Sequence, residues 1–388
     1  MSDSSTPKHL NSTANFVLER LPFKNAKKAY ESCTNWEKYM NELFAQKVKE
    51  ALEGKESEGM DIMGSLVRSS YSPKNTQKTL GGVEKGEIPE SVLSDSDIFG
   101  NCFVIFLAGH ETTANSIHFS IVELARSARH QRQLQAEVQR IFGDSDPTTW
   151  DYDSKINTLL GGFVGAVMNE QLRLMPPVVN VPKSVTKGQD QDITIDGKKF
   201  TLPAGAEMGL NTIGLHRNPK YWPTQPSKLT GKEDDLDDFN PERWLLKRGE
   251  GIKPAEISAE SSEDEYGCAT GRTTSAELYR PVRGSYIPFS DGARSCLGRR
   301  LAQIEVSACL AVIFQKYSIE LAVDEWASDE EVAKMSGEEK KALYQKASDK
   351  AKEIMRGATS VITLKLNPGH IPVRIVPKGE ERFITLLD

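Results

Sequence analysis

The chain has no long hydrophobic run. The apolar stretch at residues 102–108, Cys-Phe-Val-Ile-Phe-Leu-Ala, is far short of the roughly 20 residues a helix needs to cross a bilayer. Residues 1–6 are polar, so neither a signal peptide nor an anchor is expected in this chain. Cysteine is scarce: Cys33, Cys102, Cys268, Cys296 and Cys309 are odd in number and scattered. That excludes a disulfide framework and suits a reducing compartment. Positive charge is not in excess either. Lys and Arg total 49 against 55 Asp and Glu, a net charge of -6, which gives no reason to expect a nucleic-acid partner. No internal repeat is present. What remains, 27% charged and 38% hydrophobic residues over 388 positions, fits a globular body with one large core or two ordinary ones.

Along the chain, residues 1–15 read as disordered. Residues 16–52 carry a charged helical pattern broken near Pro22, and a helical patch at 60–67 lies inside a loop-like stretch of 53–90. A long helix is expected over 94–128, opened by Ser and Asp and apolar in its middle. Helices over 129–142 and 154–175 follow, the second stopped by Pro176-Pro177. Segments 193–195 and 199–202 flank Asp196-Gly197 and read as a hairpin. Residues 225–285 are mostly irregular, and a helix runs to about Lys316. Residues 324–356, nearly all charged or small, read as a solvated helical insertion. Short strands at 360–366 and 371–376 flank the turn Asn367-Pro-Gly-His370.

Chemistry concentrates at three places. In Phe289-Ser-Asp-Gly-Ala-Arg-Ser-Cys-Leu-Gly298, Cys296 sits in a glycine-punctuated loop with Arg294 two residues before it and a helix start just after. A cation and a helix N-terminus both favour the thiolate that a metal ligand requires. Gly292 and Gly298 allow sharp turns and leave room for something flat against the loop. In the long helix, Ala108-Gly-His-Glu-Thr-Thr113 places an acid and hydroxyls in an apolar run. Thr112 can turn its hydroxyl onto the Ala108 carbonyl, and Gly109 weakens the same turn. By itself this is as readily an ordinary helix with a few polar residues; beside a metal it would be a buried acid–alcohol pair for proton delivery. Glu170 and Arg173 share a helical face, a spacing that usually marks a surface ion pair. The flanking Phe163, Val164, Val167 and Leu172 imply burial instead, and a buried pair needs a further partner, which Arg243 in Phe239-Asn-Pro-Glu-Arg-Trp244 can supply. None of the six histidines has a ligand context that competes with Cys296.

The pattern F-x-x-G-x-R-x-C-x-G, met at all its fixed positions, resembles the haem-thiolate loop of cytochrome P450 monooxygenases. Glu170-x-x-Arg173 and the P-E-R-W segment resemble that family's structural lock, and Ala108–Thr113 its oxygen-activation helix. The resemblance implies a mainly α fold with small β-sheets, a P450-like α+β architecture with a long central helix over the haem. It makes haem b the cofactor and Cys296 the iron ligand, with Arg294 on a propionate and Phe289 against the sulfur side. Gly292 and Gly298 would leave room for the macrocycle. Ala108 and Gly109 would open a place for dioxygen, and Glu111 and Thr112 would deliver protons. Glu170, Arg173 and Arg243 would serve folding. Electrons would come from NADPH through NADPH-cytochrome P450 reductase, docking beside Arg299 and Arg300. The substrate would be small and apolar, met by Val104, Leu107, Ala108, residues 178–181 and Ile371.

The full-length family is expected at the endoplasmic reticulum membrane; without an anchor this chain would lie on its cytoplasmic side. Residues 16–388 are expected to form a P450 domain incomplete at the N-terminus, in which Trp36-Glu-Lys-Tyr-Met40 does not replace the family's W-x-x-x-R helix. Its charged insertions at about 256–280 and 324–356 resemble those of fungal enzymes of secondary metabolism. The competing expectation is a non-catalytic, truncated remnant that cannot hold haem properly.

Overall fold

The computed structural model describes residues 23–55, 61–71, 93–245, 277–366 and 369–384. The disordered N-terminus expected at 1–15, Pro22 and nearly all of the insertion at 256–280 lie outside them. The chain divides into two compact units, Met1–Ala108 and Gly109–Asp388.

In the first unit, α1 (Lys24–Leu52) and α2 (Ile62–Tyr71) pack with the opening turns of α3 (Asp95–Arg126). The interior is small: Ala51, Met63, Val67, Ile98 and Cys102, with Phe44 against the Phe99 ring at 4.8 Å. Lys47 bridges Asp61 at 2.7 Å, which ties the two helices at their polar edge.

The second unit carries the large core. α3 continues as far as Arg126, and Ser127 breaks the chain before α4 (Ala128–Phe142). The single helix expected over 154–175 is two, α5 (Tyr152–Gly161) and α6 (Phe163–Leu174). Gly162 is the break. A Cβ there would meet the Glu137 carboxylate at 2.1 Å, and that carboxylate accepts the Val164 N–H at 2.8 Å. An acid from α4 thus caps α6 at the positive end of its dipole.

Strand β1 (Asn180–Ser184) pairs antiparallel with β4 (Glu207–Asn211), and between them β2 (Gln191–Ile195) pairs with β3 (Lys198–Leu202). The β2–β3 turn is the expected Asp196-Gly197, both with positive φ, 48° and 77°, as a two-residue hairpin turn requires. The one-turn α7 (Thr212–His216) follows β4. A 3-10 turn at Pro241–Leu245 packs on α6. After the Cys296 loop come α8 (Arg299–Lys316) and β5 (Tyr317–Leu321), then α9 (Asp329–Lys334) and α10 (Gly337–Arg356). Short strands β6 (Thr359–Ser360) and β7 (Leu364–Lys365) pair with each other, while β8 (Val373–Pro377) pairs with β5.

Two sequence expectations change here. The strand expected over 360–366 is two short ones, β6 and β7, and β8 pairs with β5, a strand not expected from the sequence. Nor is 324–356 merely solvated. Its capping boxes at Ser328 and Ser336 start α9 and α10 as amphipathic helices. Their inner face buries Val332, Tyr344, Ala347 and Ala351 in the main core. The Tyr344 hydroxyl donates to the Ala125 carbonyl at 2.8 Å and accepts the Leu321 N–H at 2.9 Å. Its charged face is exposed, as expected.

Candidate functional site

Cys296 lies in a loop closed on itself. The Cys296 N–H donates to the Phe289 carbonyl at 2.9 Å, and a 3-10 turn at Gly292–Arg294 fills the space between. Two residues force the reversal: Gly292 has φ 77° and Ser290 φ 61°. Glycine takes that conformation freely; serine pays for it, a cost usually found where a loop is held for a purpose. Sequence inspection picked out Gly292 and missed Ser290, which nothing in its residue type signals.

The Cys296 sulfur is exposed and makes no side-chain hydrogen bond with a described residue. Leu297 beside it is 93% exposed. A Cβ built on Gly292 or Gly298 would meet nothing within 4 Å, so the loop is open at both glycines. Arg294 is also exposed and forms no ion pair with any described residue. Phe289 is half-buried against the main core, anchoring the loop's other end. Gly298 caps α8 without any side-chain hydrogen bond, so the amide end of that helix stands bare close to Cys296.

Glu170, Arg173 and Arg243 lie together, with further members around them. Glu170 and Arg173 are fully buried on α6 and joined by two hydrogen bonds of 2.8 Å each, from Arg173 Nε and Nη2. Arg243 Nε stands 3.6 Å from Glu170. The carboxylate also accepts from the Asn240 N–H at 3.0 Å and from Trp244 Nε1 at 2.9 Å. Arg243 turns its other end to Asp235, 3.0 Å away. Burial raises the Glu170 carboxyl, but the two guanidiniums and these hydrogen bonds outweigh it and hold it below the usual range. Asp235 is held low by the same balance, with burial opposed by Arg243. Asp235, Asn240 and Trp244 escaped sequence inspection. Asp235 stands in the acidic run Glu233-Asp-Asp-Leu-Asp-Asp238, which reads as surface until Arg243 is placed against it.

His216 couples this lock to the cysteine loop. The Ile287 N–H donates to its Nε2 at 2.9 Å, so the proton sits on Nδ1, which donates to the Arg173 carbonyl at 3.2 Å. The Tyr286 hydroxyl adds a bond to the Asn169 carbonyl at 3.2 Å. Two consecutive residues leading into the loop are therefore fixed on α6. Burial pushes the His216 ring down to about 3. The native state holds it neutral, whereas the unfolded chain takes up a proton below the ordinary value of 6.5. Stability from this group is therefore complete above about 6.5 and declines as pH falls towards 3. Between pH 7 and pH 5 it should fall by about 2 kcal/mol, at about 1.4 kcal/mol per unit. Denaturant unfolding of His216→Gln at both pH values should give a profile flatter by that amount; a variant curve parallel to the wild type would rule His216 out as the cause.

On α3, Ala108 and Gly109 are exposed, and a Cβ on Gly109 would meet nothing within 4 Å. Glu111 and Thr112 are half-buried rather than buried as expected. Glu111, 31% exposed, pairs with Lys365 of β7 at 3.4 Å. One turn on, the Asn115 amide donates to Thr363 at 3.4 Å. Among the expected substrate contacts, Val104 and Leu107 are exposed, while Val178, Val179 and Val181 are half-buried. Ile371 does not fit that set: it is buried in the main core, behind α10 and Trp326. No described histidine joins a group of three potential metal ligands.

The chain thus sets an exposed cysteine on a glycine-turned loop, tied through His216 and Tyr286 to a buried Glu–Arg–Arg cluster in a mainly helical body. A sequence profile of the cytochrome P450 family matches residues 3–344. The chain belongs to the cytochrome P450 family, and its mainly α architecture with small antiparallel sheets is that family's fold. It is 27% identical over 360 residues to a cytochrome P450 monooxygenase of Arthrobotrys oligospora, covering 92% of this chain and 54% of that one. It is 29% identical to echinocystic acid 23-monooxygenase of Saponaria officinalis over 72% of this chain and 44% of that protein. The crystal structure of the cytochrome P450DA heme domain superposes with a TM-score of 0.54 at 22% identity, covering 94% of this chain and 58% of that one. The chain spans about half the length of the curated relatives it matches. Among the described residues no helix is long and apolar enough to cross a membrane.

Proposed function

We propose that this chain carries the haem-binding and oxygen-activating part of a monooxygenase that inserts one atom of dioxygen into a small apolar substrate. The observation that carries it is the Cys296 loop: an exposed sulfur, an exposed Arg294 that pairs with no carboxylate among the described residues, and two glycines whose side of the loop is open. These features fit a flat, anionic macrocycle. Cys296 would ligate the iron, Arg294 would meet a propionate, and Phe289 would pack on the sulfur side. The haem, when bound, supplies activation of dioxygen, helped by the electron density a thiolate donates.

The chain's own residues do the rest. Ala108 and Gly109, small residues at one turn of α3, would give dioxygen room. Thr112 would orient a hydroxyl at the same turn, and Glu111 would hold a carboxylate from which protons move inward. Val178, Val179 and Val181 would exclude water and favour an apolar substrate. Glu170, Arg173 and Arg243 would hold the loop from behind. Electrons would arrive from NADPH through NADPH-cytochrome P450 reductase, an acidic surface of which Arg299 and Arg300 would meet. The fungal relatives support a role in secondary metabolism, and the full-length family's habit supports the cytoplasmic face of the endoplasmic reticulum.

The test is direct. The chain, reconstituted with haem, reduced and exposed to carbon monoxide, should give the red-shifted Soret band of thiolate ligation. Haem uptake without that band would remove Cys296 as the ligand, and no uptake would leave the non-catalytic remnant standing.

A further inference from the structure

The pair between Glu111 and Lys365 is one half of a matched contact. Glu111 and Asn115 are four residues apart on α3, an advance of roughly 6 Å along one helix face. Thr363 lies in the bend that leads into β7, and Lys365 is the last residue of that strand, two positions on. Glu111 meets Lys365 and Asn115 meets Thr363, both at 3.4 Å, so helix and strand segment engage at two points in opposite directions. The strand segment is itself fixed. The Leu364 N–H donates to the Pro177 carbonyl at 2.7 Å, and Lys365 pairs with Thr359 across β6 and β7. Thr363 is buried, so its end of the clasp is closed, while Lys365 is 45% exposed.

We infer that Lys365 is a positioning residue for Glu111: this two-point clasp holds the carboxylate in one place at the open turn beside Gly109 and Thr112. The inference rests on the role proposed above for Glu111. A glutamate on an exposed helix turn has three freely rotating bonds, and a proton donor that wanders delivers poorly. An ammonium on a strand bonded to Pro177 removes much of that freedom. Lys365 touches no reacting atom here; it acts through Glu111.

Two measurements decide the matter. Denaturant unfolding of the chain without haem, for Glu111→Gln, Lys365→Met and the double variant, should show the pair's effects to be non-additive. The expected coupling is about threefold in the unfolding equilibrium constant. Additive effects would overturn the clasp. In the haem-loaded chain, the C–O stretching frequency of the reduced carbonyl complex reports the charge lining the distal side. It should shift in Lys365→Met, stay near wild type in Lys365→Arg, and show no further change when Lys365→Met is added to Glu111→Gln. A shift equal in size with and without Glu111 would mean that Lys365 acts by itself, and the inference would fall. A wild-type chain that never shows the thiolate band would sink the proposed function instead, leaving the haem-free cycle to judge the clasp.

Discussion

Cys296→Ser is expected to remove the thiolate signature, and with it the proposed oxygen chemistry, while leaving the fold almost untouched. Both halves follow from where the sulfur sits. It is exposed and bonds to no described residue, so exchanging it for an oxygen disturbs little packing. Surface changes of that kind usually alter stability by no more than about 0.5 kcal/mol. The loop is closed by the backbone bond from Cys296 to Phe289 and by the turns at Ser290 and Gly292, all of which serine keeps. A hydroxyl, however, does not ionise as a thiol does and lacks its push on iron. The reduced carbonyl spectrum of the reconstituted variant should show no thiolate band, with an unfolding midpoint near that of the wild type. A variant that keeps the band would place the iron ligand elsewhere.

Glu170→Ala should do the reverse, destroying the fold before any question of chemistry arises. The substitution leaves Arg173 buried with no counter-charge and strands the Asn240 N–H and the Trp244 indole N–H, all of which Glu170 satisfies. Removing one partner of a buried pair costs about 3–5 kcal/mol, a large share of the 5–15 kcal/mol that holds a typical domain together. The damage should spread to the cysteine loop, since the Arg173 carbonyl anchors His216, which holds Ile287, and Asn169 holds Tyr286, the two residues that lead into it. The midpoint of denaturant unfolding measures the loss, and Glu170→Gln, which retains an acceptor, should lose less. If Glu170→Ala unfolds like the wild type, the lock is not what holds this unit.

Much of the site was legible because its chemistry depends on short, fixed spacings. The cysteine loop is ten consecutive residues, and a closed turn of that size is determined locally, by glycines and a helix start. Glu170 and Arg173 sit three apart on one helix, so their meeting needs no knowledge of the rest of the chain. The hairpin at Asp196-Gly197 was equally visible, since the turn demands positive φ. The break at Gly162 was not, because the capping carboxylate comes from Glu137 on another helix. For the same reason α9 and α10 looked solvated: their charged face is plain in the sequence, but the core that Tyr344 enters is not.

The sequence by itself determined the ligand loop, the E-x-x-R pair and the family they belong to, since each is set by residue types at short range. Only the tertiary structure decided what those pieces are tied to. His216 between Arg173 and Ile287, Ile371 in the core beside Trp326, and Lys365 on Glu111 all join residues far apart in the chain. Such contacts are chosen by the packing of whole elements, and no local spacing records them.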